Sequence, residues 1–482
     1  MCVSSCKPLP AWDTLRVENL QIYKFTNLQI YKLMQPYTFA KQIWEQVPAY
    51  RSLVGTTFPK QFDQLPLISK HNYLLSFPME NLCRPDSLDE IHLIGASSGF
   101  SKTGAVFWPK RPCDEKDYIQ SIENLFVNVF HIDQHKTLCL ECLAFGMWIG
   151  GMQLATAIRM IGLTEKYPFT IATPGLDLRT AVEVIEAYHT RYEQIMIITN
   201  PSNIPIITAL IQSINPSLLP SLLGKVYFPV VGEYFSESLR EHVCTEYGHP
   251  ISRTEVLRTG YGSADTGEVS FETERAIYVR KFFSHHPELS KQFFGTEDTP
   301  MMLEFNPAAY VEIINGHIVV TKDQFIPLVR YDTNDCGGIL HREDLRGIVP
   351  DDLLNPMPEQ WMYVMGRADN AVIFYGTNLM IGEMQQFLLG LDQHEGYGGL
   401  YTVHEQVQNN ISYLQFVIYT RGEHHADGER FKNLLVEFLC GNSAEFAFKY
   451  HNLSKSSDLP LITVTTNDIA QLQGKLKHRF VI

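Results

Sequence analysis

QIMIITNPSNIPIITALIQSINPSLLPSLLGKVYFPVVGE, residues 194–233, decides the fold class. QIMIITNP (194–201) is an unbroken apolar run closed by Asn-Pro, which reads as a buried strand. IPIITALIQSI has the spacing and length of a helix, and KVYFPVVGE (225–233) is a second buried strand. The pattern extends both ways. DEKDYIQSIENLFVNVF (114–130) sets Tyr118, Ile119, Ile122, Leu125, Phe126 and Val129 on one helical face. FTIATPG (169–175) is a strand ending in a turn, RTAVEVIEAYHTRY a helix, and SESLREHV the helix after KVYFPVVGE. Short buried strands separated by helices make parallel βαβ units, whose ligands bind beyond the carboxyl ends of the strands.

Past residue 270 the texture changes. VEIINGHIVVTKDQFIPLVRYDTND (311–335) alternates like solvent-facing strands, with a hairpin signal at Asn315-Gly316. Beyond GRADN (366–370) come a strand, SYLQFVIYT (412–420), and a helix, RFKNLLVEFL (430–439), with Gly441 as its expected cap. The expected architecture is α/β. A large N-terminal domain (34–365) has helix-flanked, mainly parallel sheets plus a β-rich subdomain. A hinge (366–369) leads to a small α+β domain (370–482).

The whole chain narrows the function classes. Its 482 residues are 45% hydrophobic, so a large core is feasible. The net charge of −14, without a basic run, argues against a nucleic-acid surface. No apolar stretch is long enough to span a membrane, and MCVSSCKPLP lacks a signal-peptide core. Nine irregularly spaced cysteines suit reduced thiols in the cytoplasm. Residues 1–33 are atypical: NLQIYK at 19–24 recurs at 27–32, which points to a translated upstream repeat with Met34 as the natural start.

Several loops carry chemistry. ASSGFSKTG (96–104) offers clustered hydroxyls, glycine-freed N–H groups and Lys102 to an anion, but fails the P-loop spacing. RTGYGSADTGEVSFE (258–272) approaches a dinucleotide fingerprint but has Asp265 where the last glycine belongs. RYDTND (330–335) presents carboxylates, which can accept from two vicinal ribose hydroxyls. GKLKHR (474–479) is a basic cluster near the end. His131, His135, Cys139 and Cys142 form a rival set with zinc-ligand chemistry, against which buried thiols and a surface histidine pair are the simpler reading.

In this order, with FDQLPLISKHNYLLSFP (62–78), VVGEYFSESLR (230–240), GRADNAVIFYGTNLM (366–380) and QGKLKHR (473–479), these segments resemble the adenylate-forming acyl-CoA synthetase superfamily. The phenylacetate–CoA ligase branch is the most similar, and the resemblance covers roughly residues 48 to 482. It implies an ATP- and Mg²⁺-dependent enzyme that activates a small carboxylic acid, aryl or otherwise apolar, as an acyl-adenylate. The acyl group then passes to coenzyme A, or alternatively to a carrier-protein phosphopantetheine. A non-catalytic nucleotide- or acyl-binding paralogue is the reading from another class, and a homodimer stays open.

Residue by residue, the resemblance puts the ATP phosphates on Ser97, Ser98, Gly99, Ser101 and Thr103. It puts adenine at Gly232 and Glu233 with Tyr261 packed on the base, and ribose at Asp335 with Arg367 in support. Asp265 holds the metal, Lys475 is catalytic, Asp369 is the hinge and Gly376 lies on the thiol path. Phe145, Met147, Trp148 and Gly262 line the acid pocket. The chain departs from the pattern where Phe100 replaces a threonine, where Lys102 falls one position early, and where Asp265 stands for a glutamate.

Overall fold

The structure is a computed structural model. It describes residues 35–96, 106–201, 203–232, 237–295, 299–349, 357–367, 397–408, 411–420, 428–456 and 460–468, the pieces 372–374 and 377–379, and residues 235, 354 and 387. The loop 97–105 lies outside this set, with Glu233, Asp369, Gly376, Lys475 and the extension 1–33.

Strands β1 (Leu93–Ala96) and β2 (Phe107–Lys110) pair as an antiparallel hairpin whose last pair, Ala96–Phe107, brackets the Ser/Gly-rich stretch. Then come β3 (Thr137–Glu141), β4 (Phe169–Ala172), β5 (Gln194–Ile198), β6 (Val226–Val230), β7 (Leu257–Ser263) and β8 (Gly267–Phe271). They continue as β9 (Met301–Phe305), β10 (Ala309–Ile314), β11 (His317–Lys322), β12 (Leu328–His341) and β13 (Gln360–Arg367).

From β3 to β13 these form one 11-stranded sheet in the order β10-β11-β12-β13-β9-β8-β7-β6-β5-β3-β4. From β4 to β7 the ladder is parallel, and from β7 onward it is antiparallel. The helix-flanked parallel part and the β-rich part share one sheet, joined where β7 pairs with β6 on one side and β8 on the other. Alternation in sequence told the two halves apart but could not show that β7 belongs to both.

The parallel half forms because its strands are mostly apolar and are covered on both faces: every residue of β3, β5 and β6 is buried. Helix Pro112–Phe130 leads into β3, and crossover helices Ile149–Leu163, Leu178–Tyr188 and Asn203–Ile214 alternate with the strands β3 to β6. Ile122 and Phe126 are buried, and Tyr118, Ile119, Leu125 and Val129 pack against the same core, as the spacing predicts. The Asp177 side chain caps Leu178–Tyr188 by accepting from Thr180 N at 3.0 Å. The hairpin at Asn315-Gly316 has both residues at positive φ, 54° and 82°, as a primed turn requires.

C-terminal to β13, β14 (Val372–Phe374) pairs with β15 (Thr377–Leu379). Strands β16 (Tyr397–Gln408), β17 (Ile411–Thr420) and β18 (Ile462–Asp468) make a small mixed sheet with helices Gly428–Asn442 and Ala444–Ser456. Gly441 lies within the last turn of Gly428–Asn442 and does not cap it. No helix among the described residues is long and apolar enough to cross a membrane.

Candidate active site

The chemistry-bearing residues collect around the carboxyl end of β7. Val230 pairs with Thr259 in the parallel ladder, so two residues further on Gly232 and Tyr261 stand at one level. Gly232 has φ 83°, and a Cβ there would meet Asn200 Nδ2 at 2.9 Å. Asn200 in turn donates to Val231 O at 2.8 Å, which ties the ends of β5 and β6 together.

Tyr261 reaches across the sheet. Its hydroxyl donates to Asp335 Oδ2 at 2.6 Å and lies 3.3 Å from Thr333 Oγ1. Thr333 Oγ1 donates to Ile318 O at 2.8 Å and accepts from Asp335 N at 3.2 Å. Asp332 makes an Asx turn, accepting from Asn334 N at 2.8 Å, and Asn334 takes φ 62°. His317 Nδ1 sits 3.1 Å from the other Asp332 oxygen. The outcome is a half-buried Asp335 carboxylate presented from a fixed turn. Across β12–β13 the backbone of Arg367 is directly opposite Asp335, so this predicted pair is adjacent.

Asp265 sits in the β7–β8 turn, whose backbone is organised by Ser263 and Thr266. Ser263 Oγ accepts from Asp265 N and Thr266 N at 3.2 Å each. Gly262 is obligatory here, because a Cβ would fall 2.2 Å from Gly267 O across the hairpin. Gln324 Nε2 donates to Asp265 O at 2.6 Å, and Lys322 Nζ donates to Glu268 O. Burial pulls the Lys322 ammonium down to about 8 even with Glu268 nearby. Tyr331 OH donates to Asp265 Oδ2 at 2.6 Å, whereas Asp265 Oδ1 accepts from none of the described residues.

Beneath this hairpin lies a fully buried ionic cluster. Arg240 contacts Glu237 at 2.9 Å and Glu272 at 2.6 Å, and Arg280 lies 3.3 Å from Glu272. Glu272 Oε2 accepts from Thr259 N, so the cluster grips β7 itself. Burial opposes the Glu237 charge, but Arg240 and Arg280 hold its carboxyl below the usual value.

The predicted acid-pocket residues follow β3. The helix Ile149–Leu163 begins directly after Trp148. The Phe145 ring lies over Gly175, whose Cβ would be 2.7 Å from Phe145 Cε2. Met147 is 44% exposed, and its carbonyl accepts from Ala96 N at 2.6 Å, joining this loop to β1. Trp148 bridges to Ala96, and its buried Nε1 has no hydrogen-bond partner among the described residues.

The four residues of the rival zinc set have other surroundings. His131 ends a helix in left-handed geometry and His135 faces Glu193 at 3.7 Å. Cys139 and Cys142 are fully buried, with Cys139 paired between β4 and β5.

Sequence reasoning missed Tyr331, Gln324 and Glu141. Tyr331 stood inside the quoted RYDTND, but only the sheet shows that it points at Asp265. Glu141 ends β3 with 0% exposure, and neither carboxylate oxygen makes a hydrogen bond of good geometry among the described residues. Burial pushes its carboxyl up to about 8, against a small opposing effect of the Leu143 amide.

The chain has the adenylate-forming acyl-CoA ligase fold. The comparison that carries this is 2-hydroxyisobutyryl-CoA ligase in complex with 2-HIB-AMP and CoA in its thioesterification state. It aligns at TM-score 0.57 and 14% identity over 93% of this chain and 87% of that one. More distant are malonyl-CoA ligase with methylmalonyl-CoA and AMP bound (TM-score 0.42, 11% identity, 78% and 70% covered) and ATP-bound MatB from Rhodopseudomonas palustris (0.36, 13%, 79% and 65%). No family model matches the sequence, and no curated protein matches it.

Proposed function

We propose that the protein is an AMP-forming acid–thiol ligase of the phenylacetate–CoA ligase kind. It joins a small aryl or apolar carboxylic acid to coenzyme A through an acyl-adenylate. The observation that carries this reading is the Tyr261–Asp335 hydrogen bond, with Arg367 opposite and Asp265 in the same hairpin, at the carboxyl edge of the parallel strands. An ionised carboxylate there is an acceptor-only group with two oxygens, which suits vicinal ribose hydroxyls. Gly232 lets a base approach the backbone beside the Tyr261 ring.

Asp265 suits a magnesium ion. It is a hard oxygen donor with one oxygen uncommitted among the described residues, and Mg²⁺ typically takes one or two carboxylates plus phosphates and water. When bound, that ion supplies charge neutralisation at the phosphates. The chain's own groups do the rest. Ser97, Ser98, Gly99, Ser101 and Thr103 hold the outer phosphates, Glu233 and Tyr261 position the base, and Phe145, Met147, Trp148 and Gly262 receive the acid.

Lys475 offsets the negative charge between carboxylate and α-phosphate. A substrate carboxylate oxygen bonds to the α-phosphorus as the bond to pyrophosphate breaks. A thiol sulfur then bonds to the acyl carbon, losing its proton as AMP leaves with the bonding electrons. The large unit (34–365) and the small unit (370–482) turn about Asp369, withdrawing Lys475 and admitting the thiol past Gly376.

ATP–pyrophosphate exchange across a panel of aryl and aliphatic acids tests the reading. Acid-dependent exchange is expected. Its absence with every acid, alongside intact ATP binding, would leave a non-catalytic nucleotide binder. Thioester formation with coenzyme A, and not with a carrier protein, is the expected second result.

A further inference from the structure

The segment FDQLPLISK (62–70) has no assigned task, yet it packs directly on the strand that carries the site. Arg330 is the anchor. It takes φ 53°, a left-handed conformation that a long side chain adopts only when held. The hold is extensive: its guanidinium donates to Asp63 O at 2.7 Å and Leu65 O at 2.5 Å, and Nε donates to Glu312 at 3.2 Å. Its cation lies 5.7 Å from the centre of the Phe62 ring. The backbone is fixed as well, because Arg330 N donates to Thr321 Oγ1 at 2.8 Å and Arg330 O accepts from Ile68 N at 3.1 Å.

The result is a β-bulge. Val320 pairs with Tyr331 and Lys322 with Leu328, so Val329 and Arg330 together oppose Thr321 alone. A bulge re-aims the side chain that follows it. Here that side chain is Tyr331, buried to 3% exposure and held from the other side by Asp332 N donating to Ile68 O at 2.8 Å. Its hydroxyl ends on Asp265 Oδ2.

We propose that Tyr331 is a positioning residue for Asp265, fixed by the Arg330 bulge and the 62–68 segment, which commits one carboxylate oxygen and presents the other to the nucleotide's metal. It rests on the reading of Asp265 as a metal ligand. The physical need is specific to this chain. Mg²⁺ demands near-ideal octahedral geometry, so a carboxylate free to rotate loses affinity. Groups that orient ligands are typically worth 10–100-fold in metal affinity. Gln324 fixes the backbone of Asp265, but among the described side chains Tyr331 is the one that fixes its carboxylate.

The test measures Mn²⁺ binding by electron paramagnetic resonance, in the full-length protein saturated with a non-hydrolysable ATP analogue. The proteins compared are the wild type, Tyr331→Phe, Asp265→Asn and the double variant, each with its melting temperature recorded. Tyr331→Phe removes one oxygen and is expected to weaken Mn²⁺ about tenfold, with Asp265→Asn weaker still and the double variant no worse than Asp265→Asn. In ATP–pyrophosphate exchange, the Mg²⁺ requirement of Tyr331→Phe rises similarly while KM for the acid is unchanged. Unchanged Mn²⁺ affinity in Tyr331→Phe, with loss in Asp265→Asn, overturns the positioning role and leaves the Asp265 reading intact. Additive losses in the double variant also overturn it. If Asp265→Asn binds Mn²⁺ like wild type, both the proposal and the reading beneath it fail.

Discussion

Glu141 gives the sharpest quantitative expectation. It closes β3 at 0% exposure, with only the Leu143 amide opposing among the described residues, and burial raises its carboxyl from 4.5 to about 8. The folded state therefore prefers the protonated form. Below the unfolded value of 4.5 both states are protonated, and the site costs nothing in charge. As pH rises the unfolded chain ionises freely and the folded one does not, so stability falls until the folded group titrates near 8 and is level above it. At about 1.4 kcal/mol per pH unit over this window, the loss is roughly 5 kcal/mol, most of it complete by neutrality. Water admitted on ionisation makes that an upper figure.

Glu141→Gln keeps the shape and removes the titration. Urea midpoints followed by tryptophan fluorescence from pH 5 to 9 should show wild-type stability falling relative to the variant by about 3–4 kcal/mol between pH 5 and 8. The slope is the readout, because a buried glutamine amide carries its own constant penalty of about 1–3 kcal/mol. Parallel curves for the two proteins across the range would refute the reasoning, since Glu141 would then titrate alike in both states.

Other expectations follow from the same geometry. Asp335→Ala should raise KM for ATP by about 10–100-fold, as loss of charge-assisted hydrogen bonds predicts, with KM for the acid little changed in steady-state assays. Arg240→Met removes the cation that bonds both Glu237 and Glu272 in a buried cluster, so it should cost about 3–5 kcal/mol in denaturant unfolding. Gly262→Ala should disrupt the hairpin, seen as lost nucleotide binding in titration calorimetry, because Gly267 O stands 2.2 Å from the added carbon. Lys475→Ala should impair acyl-adenylate formation far more than transfer from supplied acyl-adenylate, and equal losses in the two half-reactions would remove its assigned role.

The sequence alone determined the parallel half of the fold and the residue types at the site. Runs such as IMII and VYFPV are apolar at every position, as a strand buried on both faces requires, and their helical connections follow from length. Asn315-Gly316 was equally explicit, because a primed turn needs two positive φ angles. The local motifs around Tyr261, Asp265 and Asp335 were legible for the same reason: glycine, hydroxyl and carboxylate residues in turns state their chemistry in order.

Tertiary structure alone decided how these pieces meet. That β7 joins a parallel and an antiparallel half depends on pairing between segments far apart in the chain, which periodicity does not encode. Nor does a propensity place arginine in left-handed backbone. Arg330 sits there because the Asp63 and Leu65 carbonyls and Glu312 converge on it, and that bulge aims Tyr331 at Asp265. An isolated Glu141 in sequence is an ordinary strand-end acid. Its displaced titration arises from burial, which exists only once the sheet is assembled.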